Sequence, residues 1–274
     1  MRSFNANITF SILFVLTILA FTSAQAQAFT VLHSFLGGQD GALPYGTLVI
    51  DPAGNLYGTT AQGGYFEGSF CPFGCGIVFK LEHVASGWIL APLYRFQGGA
   101  DGVSPMAGVT FGPDGALYGT TYYGGGGPCS NGNYTGCGTV FRISPPLTVC
   151  KNVNSVLCSW SETVMHRFTG TPDGEAPEAN VTFGEAGNIF GTTRFGGNTN
   201  CTQVPYGCGT VFKMTHSSGG WIESVLYSFG QGKEDGILPQ ASLTFDTSGN
   251  LYGTTGSGGG SNNYGTVFQL ERIS

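Results

Sequence analysis

The sequence predicts an all-β fold, a four-bladed β-propeller of four-stranded antiparallel blades. Three observations predict it. The phrase GNLYGTT at 54–60 returns as GALYGTT at 115–121, GNIFGTT at 187–193 and GNLYGTT at 249–255. Each copy is preceded by an Asp-Gly-x-x-Pro step, at 40–44, 101–105, 173–177 and 235–239. Each is followed by a GTVFKL-like run, at 76–81, 138–143, 209–214 and 265–270. One supersecondary unit repeated at a period of this size makes a stack, ring or array. The intervening runs are short, β-branched and aromatic, with Gly, Pro, Asn and Asp between them, which marks strands and tight turns.

Each unit reads as four strands. Strand A is the TLVID type, Thr47–Asp51 and Gly108–Gly112 in the first two units. A turn such as DPAGN leads to strand B, LYGTT, and a glycine-rich loop leads to strand C, TVFKL. Strand D follows in WILAPLYRF (88–96), WSETVMHRF (160–168) and WIESVLYSF (221–229). Both faces of most strands are apolar, which suits sheets packed between sheets, and radial repetition of such sheets is a propeller. The units span about 36–96, 97–168, 169–229 and 230–274. FTVLHSF (Phe29–Phe35) reads as a D strand with no unit before it, and TVFQLERI (Thr266–Ile273) as a C strand with no D strand after it. The N-terminal strand is therefore expected to complete the last blade, so that residues 29–274 form one closed domain without exposed edges. The alternatives are an open solenoid or a ring built from two chains. Extra length between the second and third copies lies in SPPLTVCKNVNSVLCS (144–159), expected to be a disulfide-pinned hairpin.

Residues 1–28 read as a secretory signal peptide. Arg2 supplies the positive end, Ile8–Phe21 the apolar stretch, and AQAQA at 24–28 two small-residue cleavage sites. No second apolar run follows, so no membrane span is expected in the mature chain, and a secreted or periplasmic monomer is expected. Eight cysteines fit an oxidising destination. Their spacing favours four short bridges, Cys71–Cys75, Cys129–Cys137, Cys150–Cys158 and Cys201–Cys208, over a zinc site, because no second pair recurs at a ligand distance from CPFGC. A formal charge of −6, with 9% charged residues, argues against a nucleic-acid partner.

The three phrases, recurring in order four times, resemble the GloVer-type tandem repeats of secreted bacterial proteins. The resemblance covers essentially all of 29–274 and implies a propeller-like extracellular repeat protein without an assigned biochemical role. The chain departs from the family pattern in its longer, cysteine-bearing units, and no C-terminal anchor is expected.

In a propeller the B–C loops and the D-to-A links emerge on one face, and loops on a rigid scaffold are where binding is usually found. Tyr122, Tyr123, Tyr134, Arg194, Phe195 and Tyr206 lie in those loops and suit a sugar, by stacking and hydrogen bonding. The competing reading is that they pack the disulfide loops. Asp40, Asp101, Asp173 and Asp235 recur once per unit. Four carboxylates around one axis would suit calcium as a cofactor. Asp before Gly also ties its own turn, and recurrence in every unit favours that role. The paired threonines (Thr59, Thr60 and their counterparts) are expected to bond across strands. Glu67, Glu175, Glu178 and Glu234 break the repeat and are the carboxylates a polysaccharide hydrolase or lyase would use. The histidines form no evident site: His33 and His166 take the strand-D place of Tyr94 and Tyr227, while His83 and His216 follow strand C. The expected function is a non-enzymatic binding or scaffolding module for a glycan or another envelope component.

Overall fold

The computed structural model describes residues 28–66, 71–131, 134–146, 159–199, 201 and 204–272. Residues 1–27 of the expected signal peptide, Glu67, and the expected Cys150–Cys158 pair with most of its expected hairpin lie outside them. The chain divides into Met1–Leu32 and His33–Ser274, and all the strands lie in the second unit.

The first sheet is β1 (Val49–Ile50), β2 (Leu56–Thr60), β3 (Ile77–Val84) and β4 (Gly87–Arg95), paired in that order and antiparallel. The second unit supplies β5 (Thr110–Phe111), β6 (Leu117–Thr121), a small side hairpin β7 (Ser130–Asn131) and β8 (Tyr134–Thr135), then β9 (Thr139–Ser144) and β10 (Ser161–Arg167). Apart from the side hairpin these repeat the first sheet's order. The third sheet is β11 (Thr182–Phe183), β12 (Ile189–Thr193), β13 (Thr210–Ser217) and β14 (Gly220–Ser228). In the fourth, β15 (Gly236–Pro239) and β16 (Thr244–Phe245) both pair with β17 (Leu251–Gly258), and β18 (Thr266–Leu270) pairs with its other edge. The fold is thus all-β, with four four-stranded antiparallel sheets.

The repeated phrases are repeated contacts. The glycine of each Gly-Thr-Thr lies against a phenylalanine ring of the adjacent strand: Gly58 on Phe79, Gly119 on Phe141, Gly191 on Phe212 and Gly253 on Phe268. A Cβ at any of the four would overlap the ring, so the strand-B glycine and the strand-C phenylalanine require each other. The glycine of each Asp-Gly step lies likewise on the second threonine, Thr60, Thr121, Thr193 or Thr255. In three of them, Gly41, Gly102 and Gly174, φ is also positive. The first threonine reaches further than expected. It bonds the link leading into the next unit's strand A rather than the next strand, Thr59 to the Ala107 carbonyl at 2.6 Å and Thr120 to that of Ala179 at 3.3 Å. The second bonds across strands, Thr121 to Thr139 and Thr193 to Thr210, both at 2.8 Å.

Between sheets the core is aromatic and aliphatic. Phe96, Val109, Leu117 and Phe141 pack with Tyr57 and Val78 between the first and second sheets. Tyr118, Val140, Phe168 and Phe212 fill the next interface, and Val211, Phe229, Leu243 and Leu251 the third. The last phenylalanine of each D run meets the strand-C phenylalanine of the following sheet, Phe96 on Phe141, Phe168 on Phe212 and Phe229 on Phe268, with centroids 5.1–5.2 Å apart. Phe35 makes the same contact with Phe79 at 5.3 Å.

Residues 29–35 therefore keep the packing of a D strand at Phe35, but they carry no strand assignment, and among the described residues β18 pairs only with β17. The ladder expected to close the last blade is not formed. The two end sheets keep uncovered faces as a result. Leu48 is 50% exposed, although its counterparts Val109, Val181 and Leu243 are buried. Val267 is 80% exposed, although Val78, Val140 and Val211 are fully buried.

Candidate functional site

The link before each strand A lies beside the loop after each strand B. Single backbone bridges join them at Ala42–Gln62, Val103–Tyr123 and Glu175–Phe195. In the third unit the residue after Gly-Thr-Thr, Arg194, reaches the residue after the Asp-Gly-x-x-Pro proline, Glu178. Those two positions hold different residues in every unit: Ala61, Tyr122, Arg194 and Gly256 at the first, Tyr45, Met106, Glu178 and Gln240 at the second.

Across the second, third and fourth units they make one polar network. Arg194 donates through Nη1 to Glu178 Oε1 at 2.8 Å. With its amide oxygen turned toward the guanidinium, Gln240 accepts from Arg194 Nε at 2.9 Å and Nη2 at 3.1 Å. Tyr122 is buried against this network. Burial and the Glu178 carboxylate push its hydroxyl up to about 12, although a hydrogen bond with Arg194 opposes them. Aromatic rings extend the network on both sides. Tyr122 meets Tyr123 edge to face at 4.5 Å, and Tyr123 stacks on Tyr134 at 5.0 Å and 12°. On the other side Arg194 lies 5.1 Å above the Phe195 ring, which meets Tyr206 at 5.8 Å. All six loop residues expected from the sequence thus form one connected strip. Tyr122 is its buried centre, and Tyr206, 57% exposed, is its open end. Gln240 was not expected. Its place one residue after a repeated proline is the signal that could have found it.

Three disulfides pin the loops beside this strip, Cys71–Cys75, Cys129–Cys137 and Cys201–Cys208. They agree with an oxidising, extracytoplasmic compartment. Among the described residues no helix is long and apolar enough to cross a membrane.

The other carboxylates are placed differently. Each repeated aspartate serves its own link. Asp101 accepts from the Tyr94 hydroxyl at 2.9 Å and the Gln97 amide at 2.6 Å. Asp235 does the same with Tyr227 and Gln231 at 3.0 and 2.9 Å. In Asp40 and Asp173 the partner is His33 or His166, at 3.3 and 3.0 Å. Among the described residues one group of three or more metal-type side chains comes together, and it holds a single member of this set, Asp173. Of the unrepeated carboxylates, Glu178 is paired with Arg194, while Glu234 lines a cleft of about 710 Å³ between the third and fourth units with Asn198, Gln231 and Lys233. Burial alone raises Glu175. No hydrogen bond among the described residues joins any two of these glutamates. The histidines are less inert than expected: His166 meets both Asp173 and Glu223, a glutamate that sequence reading passed over.

An all-β chain of repeated four-stranded units belongs to the class of β-repeat proteins, and its disulfide-pinned loops are consistent with an extracytoplasmic compartment. Residues 17–163 match the family described as the Gloeobacter/Verrucomicrobia repeat, and the chain belongs to that family. Among solved structures it is similar to a protein of unknown function from Dyadobacter fermentans DSM 18053, at 10% identity and a TM-score of 0.45, over 79% of this chain and 62% of that one. The chain therefore spans less than two thirds of that protein. No curated protein matches it significantly.

Proposed function

We propose that this protein is an exported, non-catalytic binding module, a closed four-bladed β-propeller whose loop face recognises a polyhydroxylated ligand such as an envelope glycan. The observation that carries this reading is the strip from Tyr134 to Tyr206. Aromatic faces flank a pre-bonded Tyr122–Glu178–Arg194–Gln240 network, at positions where every unit differs from the others. Rings offer a face to the apolar side of a sugar, and a fixed polar network offers donors and acceptors to its hydroxyls at low entropic cost. The residues used are already hydrogen-bonded to one another, which favours holding a ligand over transferring protons. Export is supported by the charged and apolar pattern of residues 1–28 and by the disulfides. Closure is supported by the equivalence of Leu48 and Val267 to residues buried at all three formed interfaces.

The test is a glycan array probed with the oxidised mature protein. Binding is expected, with a loss of about tenfold or more in Tyr123→Ala and in Tyr206→Ala, a change near 1.4 kcal/mol. Calcium is expected to make no difference, because the repeated aspartates serve their own links. Failure to bind any glycan, or binding that survives both substitutions, would overturn the reading.

A further inference from the structure

A second constellation uses none of the strip residues and lies where the outer strands of the second and third sheets adjoin. A bulge occurs at the same point of each C–D hairpin, opposite Val78/Phe79, at Val164/His166 and opposite Val211/Phe212. Such a bulge re-aims the residues beside it. Here it is followed by Tyr94, His166 or Tyr227, each bonded to the aspartate of the next link. The third residue of each Trp-initiated D run is Leu90, Glu162 or Glu223. Each of these positions takes one of two residue kinds, so the combinations can be compared within one molecule. Where Tyr94 meets Asp101, the neighbouring strand supplies Glu162, and no imidazole is present. His33 and Asp40 precede a unit with leucine at the third position. Among the described residues, His166, Asp173 and Glu223 alone combine an imidazole and two carboxylates.

Their ligand atoms all lie within 4.8 Å of one another. His166 Nε2 and Asp173 Oδ2 stand 3.0 Å apart, close to the roughly 3.3 Å that bonds of about 2.0–2.1 Å impose between neighbouring ligands of a tetrahedral ion. Glu223 Oε1 is shut off from water with no hydrogen-bond partner. A buried carboxylate oxygen without a partner is costly, and a bound cation removes that cost. The histidine and aspartate side chains remain 21% and 14% exposed, so an ion has an entry path.

We infer that His166, Asp173 and Glu223 form a binding site for one divalent transition-metal ion of the zinc class. One neutral imidazole nitrogen with two carboxylate oxygens suits zinc, and three protein ligands leave a position for water. The ion would tie β10 to β14, and so the second sheet to the third.

The test is calorimetric titration of the metal-stripped, oxidised mature protein with Zn²⁺, with the visible absorption of the Co²⁺ form as a second readout. One ion per chain is expected. His166→Tyr installs the residue that the first sheet carries at this place, and Glu223→Gln removes a charge that lacks a partner, so both variants should fold. Each is expected to weaken binding at least tenfold and to abolish the tetrahedral cobalt band. Glu162→Gln, the equivalent change one sheet earlier, is expected to leave both unchanged. No binding, or binding of undiminished strength in both His166→Tyr and Glu223→Gln, would overturn the assignment.

Discussion

Glu162 stands on β10 with one carboxyl oxygen closed off from water and without a partner. Burial, and then the charge of Asp101, push it from 4.5 up to about 8, although Arg167 pulls the other way and Tyr94 is engaged with Asp101. A carboxyl raised in the folded state keeps its proton while the unfolded chain loses its own. The stability it contributes is therefore present below pH 4.5 and lost as the pH climbs to 8. Glu162→Gln is expected to match the parent near pH 4 and to exceed it at pH 8.5, by about 1–2 kcal/mol once water screening at this half-exposed site is allowed for. Thermal melts at the two pH values decide it: an equal offset at both would remove the titration from the account. At Gly119 the issue is space. The Cβ of Gly119→Ala would run into the Phe141 ring, so a loss of about 1–3 kcal/mol is expected in denaturant unfolding, as for other overpacked cores. An unchanged midpoint would mean that the ring moves freely aside.

At the scale of the element, strands B and C are plain in the sequence because both carry their constraints locally. A glycine that must touch a ring and a threonine that must reach a carbonyl leave the same letters in every unit. Strand A is less legible. It reads as the five residues Thr47–Asp51, yet only Val49 and Ile50 form a ladder, and the Thr47 hydroxyl instead accepts from the Asn180 amide of the third unit. The aromatic strip is legible as a set of residue types, but not as a network. Tyr122 and Arg194 occupy equivalent places in different units, and only the adjacency of the sheets brings them together. Glu223 was hidden for a related reason: its partners sit on another strand and in a link some fifty residues away, a separation that no local pattern encodes. The histidine and tyrosine alternation at the end of strand D was visible, but its meaning depends on which glutamate faces it.

At the scale of the whole molecule, the uncovered faces of the first and last sheets are two halves of an interface that the chain builds three times elsewhere. Tyr57 packs on Phe111, Tyr118 on Phe183 and Phe190 on Phe245; the next pair in that series is Tyr252 with Ile50, which is 63% exposed. In a closed ring Val267→Asp would bury an unpaired charge and cost several kcal/mol, as Val140→Asp would at a formed interface. On an open surface it would cost less than about 0.5 kcal/mol. Melting temperatures of the two variants side by side separate these cases, and a Val267→Asp protein as stable as the parent would refute closure. The complementary ends also bear on how the protein behaves when crowded. A second chain offers each end the same partner that the chain offers itself, and a contact of that head-to-tail kind propagates into threads unless it closes. Self-closure competes with the effective concentration of a tethered end, about millimolar for short flexible links. If the chain closes on itself as proposed, solitary rings are expected in dilute solution and head-to-tail polymer at high concentration, which sedimentation across a dilution series would separate.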